Sequence, residues 1–192
     1  MLSETFSNWN LIRVSGFLAF FLFTLSIAAG LIGRFSALKK NKPFMLELHQ
    51  ASGWIGFLAV VFHGLLLLND HYAPYTWKEL FIPLLSKNEP FLSGLGTISF
   101  YLFFFTIFTS DFLMKSLGKP LWKKIHFLIL PAWVLMLLHG ILIGTDSKEP
   151  WASGLYGGSI ILISILLILR FLDNPLKKNK TQSSNTPIEK AP

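Results

Sequence analysis

Five long apolar stretches constrain this chain more than any other feature of its sequence. They run approximately from Leu11 to Ile32, Met45 to Leu68, Phe91 to Met114, Leu121 to Gly144 and Leu155 to Leu172. Each stretch approaches the ~20 residues that a helix needs to cross the hydrocarbon core of a bilayer. Backbone polar groups must be paired in lipid, and the alternation typical of barrel strands is missing. We therefore predict an all-α membrane protein, a bundle of about five transmembrane helices.

The composition supports a membrane protein rather than a soluble domain. Only 14% of the 192 residues are charged and 52% are hydrophobic, whereas a soluble domain is about one quarter charged. The net charge of +7 raises the question of nucleic acid. However, the Lys and Arg residues lie between and after the apolar stretches, and no helix-turn-helix or RNA-binding pattern occurs. The predicted environment is the lipid bilayer, with no nucleic acid partner.

The charges of the connections predict an orientation, because cytoplasmic loops of membrane proteins carry an excess of Lys and Arg. Basic residues dominate the first and third connections and the carboxyl-terminal segment: Arg34, Lys39, Lys40 and Lys42; Lys115, Lys119, Lys123 and Lys124; Lys177, Lys178 and Lys180. In the second and fourth connections, acidic residues offset the lysines. We predict an external amino terminus, a membrane domain over residues 1–172, and a disordered basic cytoplasmic tail over residues 173–192.

Four histidines interrupt two of the apolar stretches and form the candidate site. His49 and His63 lie in the second stretch, and His126 and His139 lie in the fourth. The predicted orientation places His49 and His126 toward the cytoplasmic side, and His63 and His139 about 20 Å further along their helices toward the outside. Ionisable residues within membrane spans are rare, and they indicate a functional site by default.

The residue types limit the cofactors that these histidines could hold. The chain has no Cys, which excludes thiolate zinc sites, iron–sulfur clusters and covalent haem attachment. Two ligands about 20 Å apart on one helix cannot share an ion. Paired imidazoles suit the two axial positions of haem b. The alternative is a haem-free multi-pass membrane protein whose histidines are packed, or bind a transition metal for transport or assembly.

The spacing of the two pairs differs in helical phase. Fourteen residues return His63 to within about 40° of the face that carries His49. Thirteen residues leave His126 and His139 about 140° apart on a straight helix. Pro131 lies between them, and we expect it to kink or re-phase the fourth helix.

Two segments contain the four histidines: LELHQASGWIGFLAVVFHGLLLLND and TSDFLMKSLGKPLWKKIHFLILPAWVLMLLHG. The second contains the T-S, L-G and W-x-x-x-H elements at Thr109, Ser110, Leu117, Gly118, Trp122 and His126. Both segments resemble the ferric reductase-like transmembrane domain superfamily, which includes the membrane domains of NADPH oxidases and ferric reductases. The superfamily also includes the bacterial haem-binding subunit of the methionine sulfoxide reductase system.

The resemblance implies two b haems in a bacterial plasma membrane, with His49 paired to His126 and His63 paired to His139 as axial ligands. Electrons would come from a cytoplasmic flavin reductase or a quinol. They would pass to an external acceptor, which could be a ferric chelate, oxygen or a partner reductase. Full ferric reductases continue into a flavin and nicotinamide domain, but no G-x-G-x-x-G or P-loop motif occurs here. We therefore expect an oxidoreductase membrane component without its own catalytic residues; a quinol-linked cytochrome of the b561 kind remains an alternative.

Four further residues carry smaller predictions. Arg13 near the outer end of the first stretch is expected to reach the headgroups or a haem propionate. Asp111 and Lys115, four residues apart, are expected to form a helical ion pair. His71 is interpreted as an exposed loop residue, with a ferric ion site as the alternative.

Overall fold

The computed structural model describes residues 7–173, which are helical without any strand in this range. The helices are α1 (Asn8–Ile32), α2 (Lys42–Leu67), α3 (Trp77–Phe81), α4 (Pro90–Phe108), α5 (Met114–His126), α6 (Ile129–Ile143) and α7 (Pro150–Leu172). A 3-10 segment (Ser36–Asn41) precedes α2, and a π-helical turn (Thr109–Leu113) joins α4 to α5. The predicted tail lies, apart from Asp173, outside the described residues.

Within residues 7–173, four helical runs are long and apolar enough to cross a membrane: α1, α2, the run Pro90–Ile143 and α7. The all-helical membrane architecture is thereby confirmed. The run Pro90–Ile143 has 54 residues, about 80 Å if it were straight and far longer than a bilayer requires. It folds back on itself, and α4 packs against α6. Ser99 Oγ of α4 donates a hydrogen bond to the Ala132 carbonyl of α6 at 2.8 Å.

Three helices have proline at their first or second position. Each of them begins before the apolar stretch that predicted it. Pro90 and Pro150 are the first residues of α4 and α7, and Pro43 is the second residue of α2. Proline fits the first turn because no intrahelical hydrogen bond needs its missing N–H. The apolar stretches alone therefore predict helix starts that are up to five residues too late.

The predicted fourth span is wrong as a single helix from Leu121 to Gly144. The helix is interrupted at Phe127 and Leu128, and Pro131 lies in the first turn of α6. Pro131 has no N–H for the Phe127 carbonyl, which accepts instead from Leu130 N at 3.2 Å. Phe127 and Leu128 keep right-handed helical φ and ψ angles, so the expected disturbance near Pro131 takes the form of a tightened turn between α5 and α6.

Gly118 interrupts α5 with φ 71° and ψ 156°. This backbone region is essentially restricted to glycine, because a Cβ atom would clash with the neighbouring peptide. The glycine lets the chain change direction after the π-helical turn, before it enters the segment that ends at His126. The L-G element of the sequence therefore marks a turn between α4 and α6.

The core lies where α1 meets α4, α6 and α7. Phe23 of α1 stacks on Phe103 of α4 with ring centroids 3.7 Å apart. Trp133 of α6 donates from Nε1 to Thr24 Oγ1 of α1 at 2.9 Å. Helix α1 also packs closely against α2, so it is the central helix of the bundle.

The connection between α2 and α4 folds over one end of the bundle around a buried carboxylate. Glu79 accepts hydrogen bonds from Thr76 N and Thr76 Oγ1, both at 2.8 Å, and from Lys87 N at 3.2 Å. These bonds, the Thr76 N–H foremost, hold the pKa of Glu79 below its ordinary value. Tyr101 of α4 donates to the Phe81 carbonyl at 2.6 Å and ties α3 to the bundle. Because the loop charges predict that this end of the bundle faces outward, we call residues 69–89 the outer cap.

Candidate functional site

His49 is held by two reciprocal hydrogen bonds to α1. Ser26 Oγ donates to the His49 carbonyl at 2.8 Å, and His49 Nδ1 donates to the Ser26 carbonyl at 2.8 Å. Gly30 makes room for the ring, since a Cβ atom at this position would lie 3.0 Å from His49 Nδ1. Because a carbonyl can only accept, His49 carries its proton on Nδ1.

His126 is oriented by Ser110 in the π-helical turn. Ser110 Oγ donates to the Thr106 carbonyl at 2.7 Å, so its hydrogen is already used. The same oxygen lies 3.1 Å from His126 Nδ1 and accepts from Trp122 Nε1 at 3.1 Å. His126 Nδ1 must therefore be the donor toward Ser110. The Trp122 and His126 rings also pack together, with centroids 5.1 Å apart.

His63 and His139 donate to backbone carbonyls at the opposite end of the bundle. His63 Nδ1 donates to the Ile12 carbonyl of α1 at 2.9 Å. His139 Nδ1 donates to the Leu92 carbonyl of α4 at 2.8 Å. A Cβ atom at Gly96 would lie 2.9 Å from the His139 ring. The close approach of α6 to α4 therefore requires glycine at this position.

All four imidazoles consequently share one tautomer. Each has Nδ1–H engaged by α1 or by the α4 region, and no Nε2 atom of the four has a hydrogen-bond partner among the described residues. A neutral imidazole of this tautomer presents a lone pair on Nε2. Metal-ligating histidines typically donate their other N–H to a carbonyl or a similar acceptor, which fixes the ring. The four side chains are thus prepared to act as nitrogen ligands.

The structure places His49 beside His126, and it places His63 and His139 on the wall of one cavity. The His49 and His126 ring centroids are 5.9 Å apart, with an interplanar angle of 67°. A metal about 2 Å from each of two opposed ring nitrogens separates the centroids by about 6 Å, so the spacing fits an iron between them. His63 and His139 line one cavity of about 570 Å³, a volume within the range of cofactor sites.

The two pairs, called the inner pair (His49, His126) and the outer pair (His63, His139), lie at opposite ends of the bundle. The Phe23–Phe103 stack lies between them along α1 and α4. No cluster of three or more His, Cys, Asp or Glu side chains forms a metal site within residues 7–173. Each pair consists of two imidazoles, the number of axial ligands that a haem iron can take.

Sequence reasoning missed the groups that orient the histidines. Ser26, Gly30 and Gly96 were not singled out, although each contacts a histidine ring. Their signal in the sequence is weak: they are small residues in apolar helices, a pattern that ordinary helix packing also produces. Their contact with an imidazole can be seen only when the neighbouring helix is known.

Three of the smaller predictions have structural outcomes. Arg13 forms an ion pair with Asp146, at the mouth of the outer cavity. The predicted ion pair between Asp111 and Lys115 is wrong: no such pair forms in the described part, and Asp111 Oδ2 accepts from Trp54 Nε1 at 2.7 Å. The π-helical turn adds a residue to the helical repeat, so positions four apart no longer stack. His71 is exposed and does not line the cavity.

Comparison with known proteins gives one match. No curated protein and no solved structure matches the chain. The family described as ferric reductase like transmembrane component matches residues 15–137, from α1 into α6. This range contains His49, His63 and His126 and ends two residues before His139. Such domains are in general haem-binding, and the match indicates electron transfer across a membrane. Because it spans more than half of the sequence, the chain belongs to the ferric reductase-like transmembrane family.

Proposed function

We propose that this protein is a di-haem b electron conduit of a bacterial plasma membrane. It passes electrons from a cytoplasmic flavin reductase or a quinol to an external ferric chelate, oxygen or partner reductase. One observation carries the proposal: all four intramembrane imidazoles donate through Nδ1 and leave Nε2 without a partner among the described residues. Helix packing does not require four imidazoles to keep the same ring nitrogen available, whereas metal ligation does.

The proposed topology has five crossings, with the amino terminus outside and the carboxyl terminus in the cytoplasm. The packing of α4 against α6 supports two crossings within the run Pro90–Ile143. The inner pair then lies near the basic connections, and Arg34, Lys40, Lys115 and Lys119 are exposed there. The outer pair lies beneath the outer cap. This direction agrees with the usual excess of positive charge on the cytoplasmic side.

Haem b supplies an iron that cycles between the ferric and ferrous states, with a potential that its axial ligands and surroundings adjust. His49 and His126 would hold the inner group, and His63 and His139 the outer group. The Ser26 and Ile12 carbonyls of α1 keep the two α2 imidazoles in the ligating tautomer. Fixed orientation of this kind strengthens binding, because less ring freedom is lost when the metal binds.

The remaining bundle residues keep water from the region between the two pairs. Phe23 and Phe103 are each 1% exposed and form the stacked pair at the middle of the bundle. Apolar surroundings raise the effect of each nearby dipole on a buried charge. The protein therefore contributes ligands, ring orientation and a dry interior, while the donor and the acceptor meet it at opposite surfaces.

The haem content of the purified protein tests the proposal. The full chain, produced in haem-replete cells and purified in detergent, is expected to contain about two haem b per chain and to show the dithionite-reduced spectrum of bis-histidine haem. His71→Ala is a matched control, because His71 is exposed and outside both pairs; this variant should retain both haems. A colourless wild-type preparation would overturn the proposal and favour structural or metal-handling histidines.

A further inference from the structure

A carboxylate and an indole meet on the exposed surface between α2 and the π-helical turn. Trp54 Nε1 donates a hydrogen bond to Asp111 Oδ2 at 2.7 Å. Trp54 is 37% exposed, and Asp111 is exposed as well. Trp54 lies five residues beyond His49 in the direction of the outer pair, about 7.5 Å along α2. A carboxylate on the lipid-facing side of a membrane helix is costly and indicates a function.

The same surface is lined with aromatic rings. From Trp54 the series continues through Phe57, Phe104, Phe108 and Phe112, with neighbouring centroids 5.2–6.1 Å apart. Phe104, Phe108 and Phe112 are exposed. Rings at such distances provide faces and edges for a planar aromatic ligand. The surface therefore combines aromatic packing with one charged acceptor, the Asp111 carboxylate, whose Oδ2 already accepts from the Trp54 indole.

This surface adjoins the inner pair through a single turn of the chain. Asp111 follows Ser110, whose hydroxyl bonds His126 at 3.1 Å. Both residues belong to the π-helical turn Thr109–Leu113, and such turns occur frequently at functional sites. A molecule bound at Asp111 would thus lie beside the inner histidines. The exposed Phe104 and Phe108 next to it belong to a candidate membrane-spanning run, so we expect this side to face lipid.

We propose that Trp54 and Asp111 bind the headgroup of a membrane hydroquinone. Its hydroxyl donates to the Asp111 carboxylate, its ring packs on the aromatic surface, and its apolar tail remains in the bilayer. This inference rests on the proposed function, since it assigns the donor of the inner haem site. Oxidation of the hydroquinone to the quinone would release two electrons, for which haem groups held by the two histidine pairs would be one-electron acceptors, and two protons, which would leave to water at the cytoplasmic surface. A soluble flavoprotein would not reach a surface that faces lipid.

Photolabelling of the full chain with an azido derivative of decylubiquinone tests the binding site without requiring haem. Label is expected on the peptides that contain Trp54 and Asp111, and an excess of decylubiquinone should suppress it. The double variant Trp54→Phe, Asp111→Asn should lose this label. Glu47→Gln removes an exposed carboxylate elsewhere on α2 and should retain it. Uniform label along lipid-facing residues that decylubiquinone does not suppress would mean acyl-chain contact only, and would overturn the proposal.

Reduction kinetics give the second measurement. Asp111→Asn should slow haem reduction by decylubiquinol at least about tenfold, since a charged hydrogen-bond acceptor is lost. Haem content and reduction by dithionite should not change. A haem-containing protein without suppressible label at Trp54 and Asp111 would refute the quinol site and leave the conduit intact. A haem-free protein would refute the conduit, while the photolabelling would still decide whether the quinol site exists.

Discussion

The inner and outer pairs solve the same problem with different groups. In the inner pair, His126 depends on the Ser110 hydroxyl, and the two rings lie 5.9 Å apart. In the outer pair, His63 and His139 both depend on backbone carbonyls and line a cavity of about 570 Å³ beneath the outer cap. A hydroxyl can be removed by substitution, whereas a carbonyl cannot. The acceptor of His126 can therefore be removed by substitution, whereas the carbonyl acceptors of His63 and His139 cannot.

Removal of one ligand from each pair should have the largest effect and should separate the two sites. His63→Ala is expected to reduce the haem content from about two to about one per chain, and His126→Ala to do the same through the other site, because one missing axial ligand abolishes bis-histidine binding. Potentiometric titration of each variant should leave a single component, and the two components should differ. Retention of both haems in either variant contradicts the pairing.

Substitution of the glycines beside the outer pair gives a second test of the difference between the two pairs. Gly96→Ala places a methyl group 2.9 Å from the His139 ring, a distance that forces the ring or α6 to move. We expect outer haem affinity to fall about 10- to 100-fold, as for other disturbances of ligand orientation. Gly16→Ala is the matched control, because its methyl group would lie at an ordinary 3.4 Å from His63. Titration with apomyoglobin measures how well each of the two variants retains haem. Equal losses of haem from Gly96→Ala and Gly16→Ala would contradict the steric explanation.

Ser110→Ala tests the hydroxyl that distinguishes the inner pair. The substitution removes the acceptor of both His126 Nδ1 and Trp122 Nε1. Inner haem affinity should fall about tenfold while the outer haem stays bound. Ser153→Ala, which removes a hydroxyl that bonds only the Ser147 carbonyl in the outer part of the chain, should change neither. Spectral titration of the two components decides the result.

Acid should destabilise the outer cap through protonation of Glu79. The inner side of the bundle does not contain this residue. The pKa of Glu79 is lowered in the folded protein, so its contribution to stability is present above the unfolded value of 4.5 and is lost as the pH falls through the folded value. Hydrogen exchange in residues 76–89 should accelerate below about pH 4.5, relative to Glu79→Gln at the same pH. A constant ratio between the two proteins from pH 7 to pH 3 would contradict this assignment.

The apolar stretches and the four histidines were sufficient to predict the helical membrane architecture, because hydrocarbon leaves few alternatives for a backbone. They did not locate the interruption between α5 and α6 at Phe127 and Leu128. This interruption depends on the N–H of Leu130, which donates to the Phe127 carbonyl in place of the N–H that Pro131 lacks. The π-helical turn was also beyond a 3.6-residue pattern, and it made the predicted Asp111–Lys115 pair wrong. The role of Gly30 and Gly96 is visible only when the helix that packs against each of them is known. Local sequence therefore drew attention to the four histidines but not to the groups that orient them.

Helix α1 provides no histidine, yet it sets the register of both α2 histidines. Its two acceptor residues, Ile12 and Ser26, are fourteen positions apart, the same separation as His49 and His63 on the antiparallel α2. Insertion or deletion of one residue between Ile12 and Ser26 would rotate one acceptor by about 100° relative to the other. Only one of the two imidazoles could then keep its bond to α1. The lengths of these two segments are therefore coupled, and a change in one requires the same change in the other.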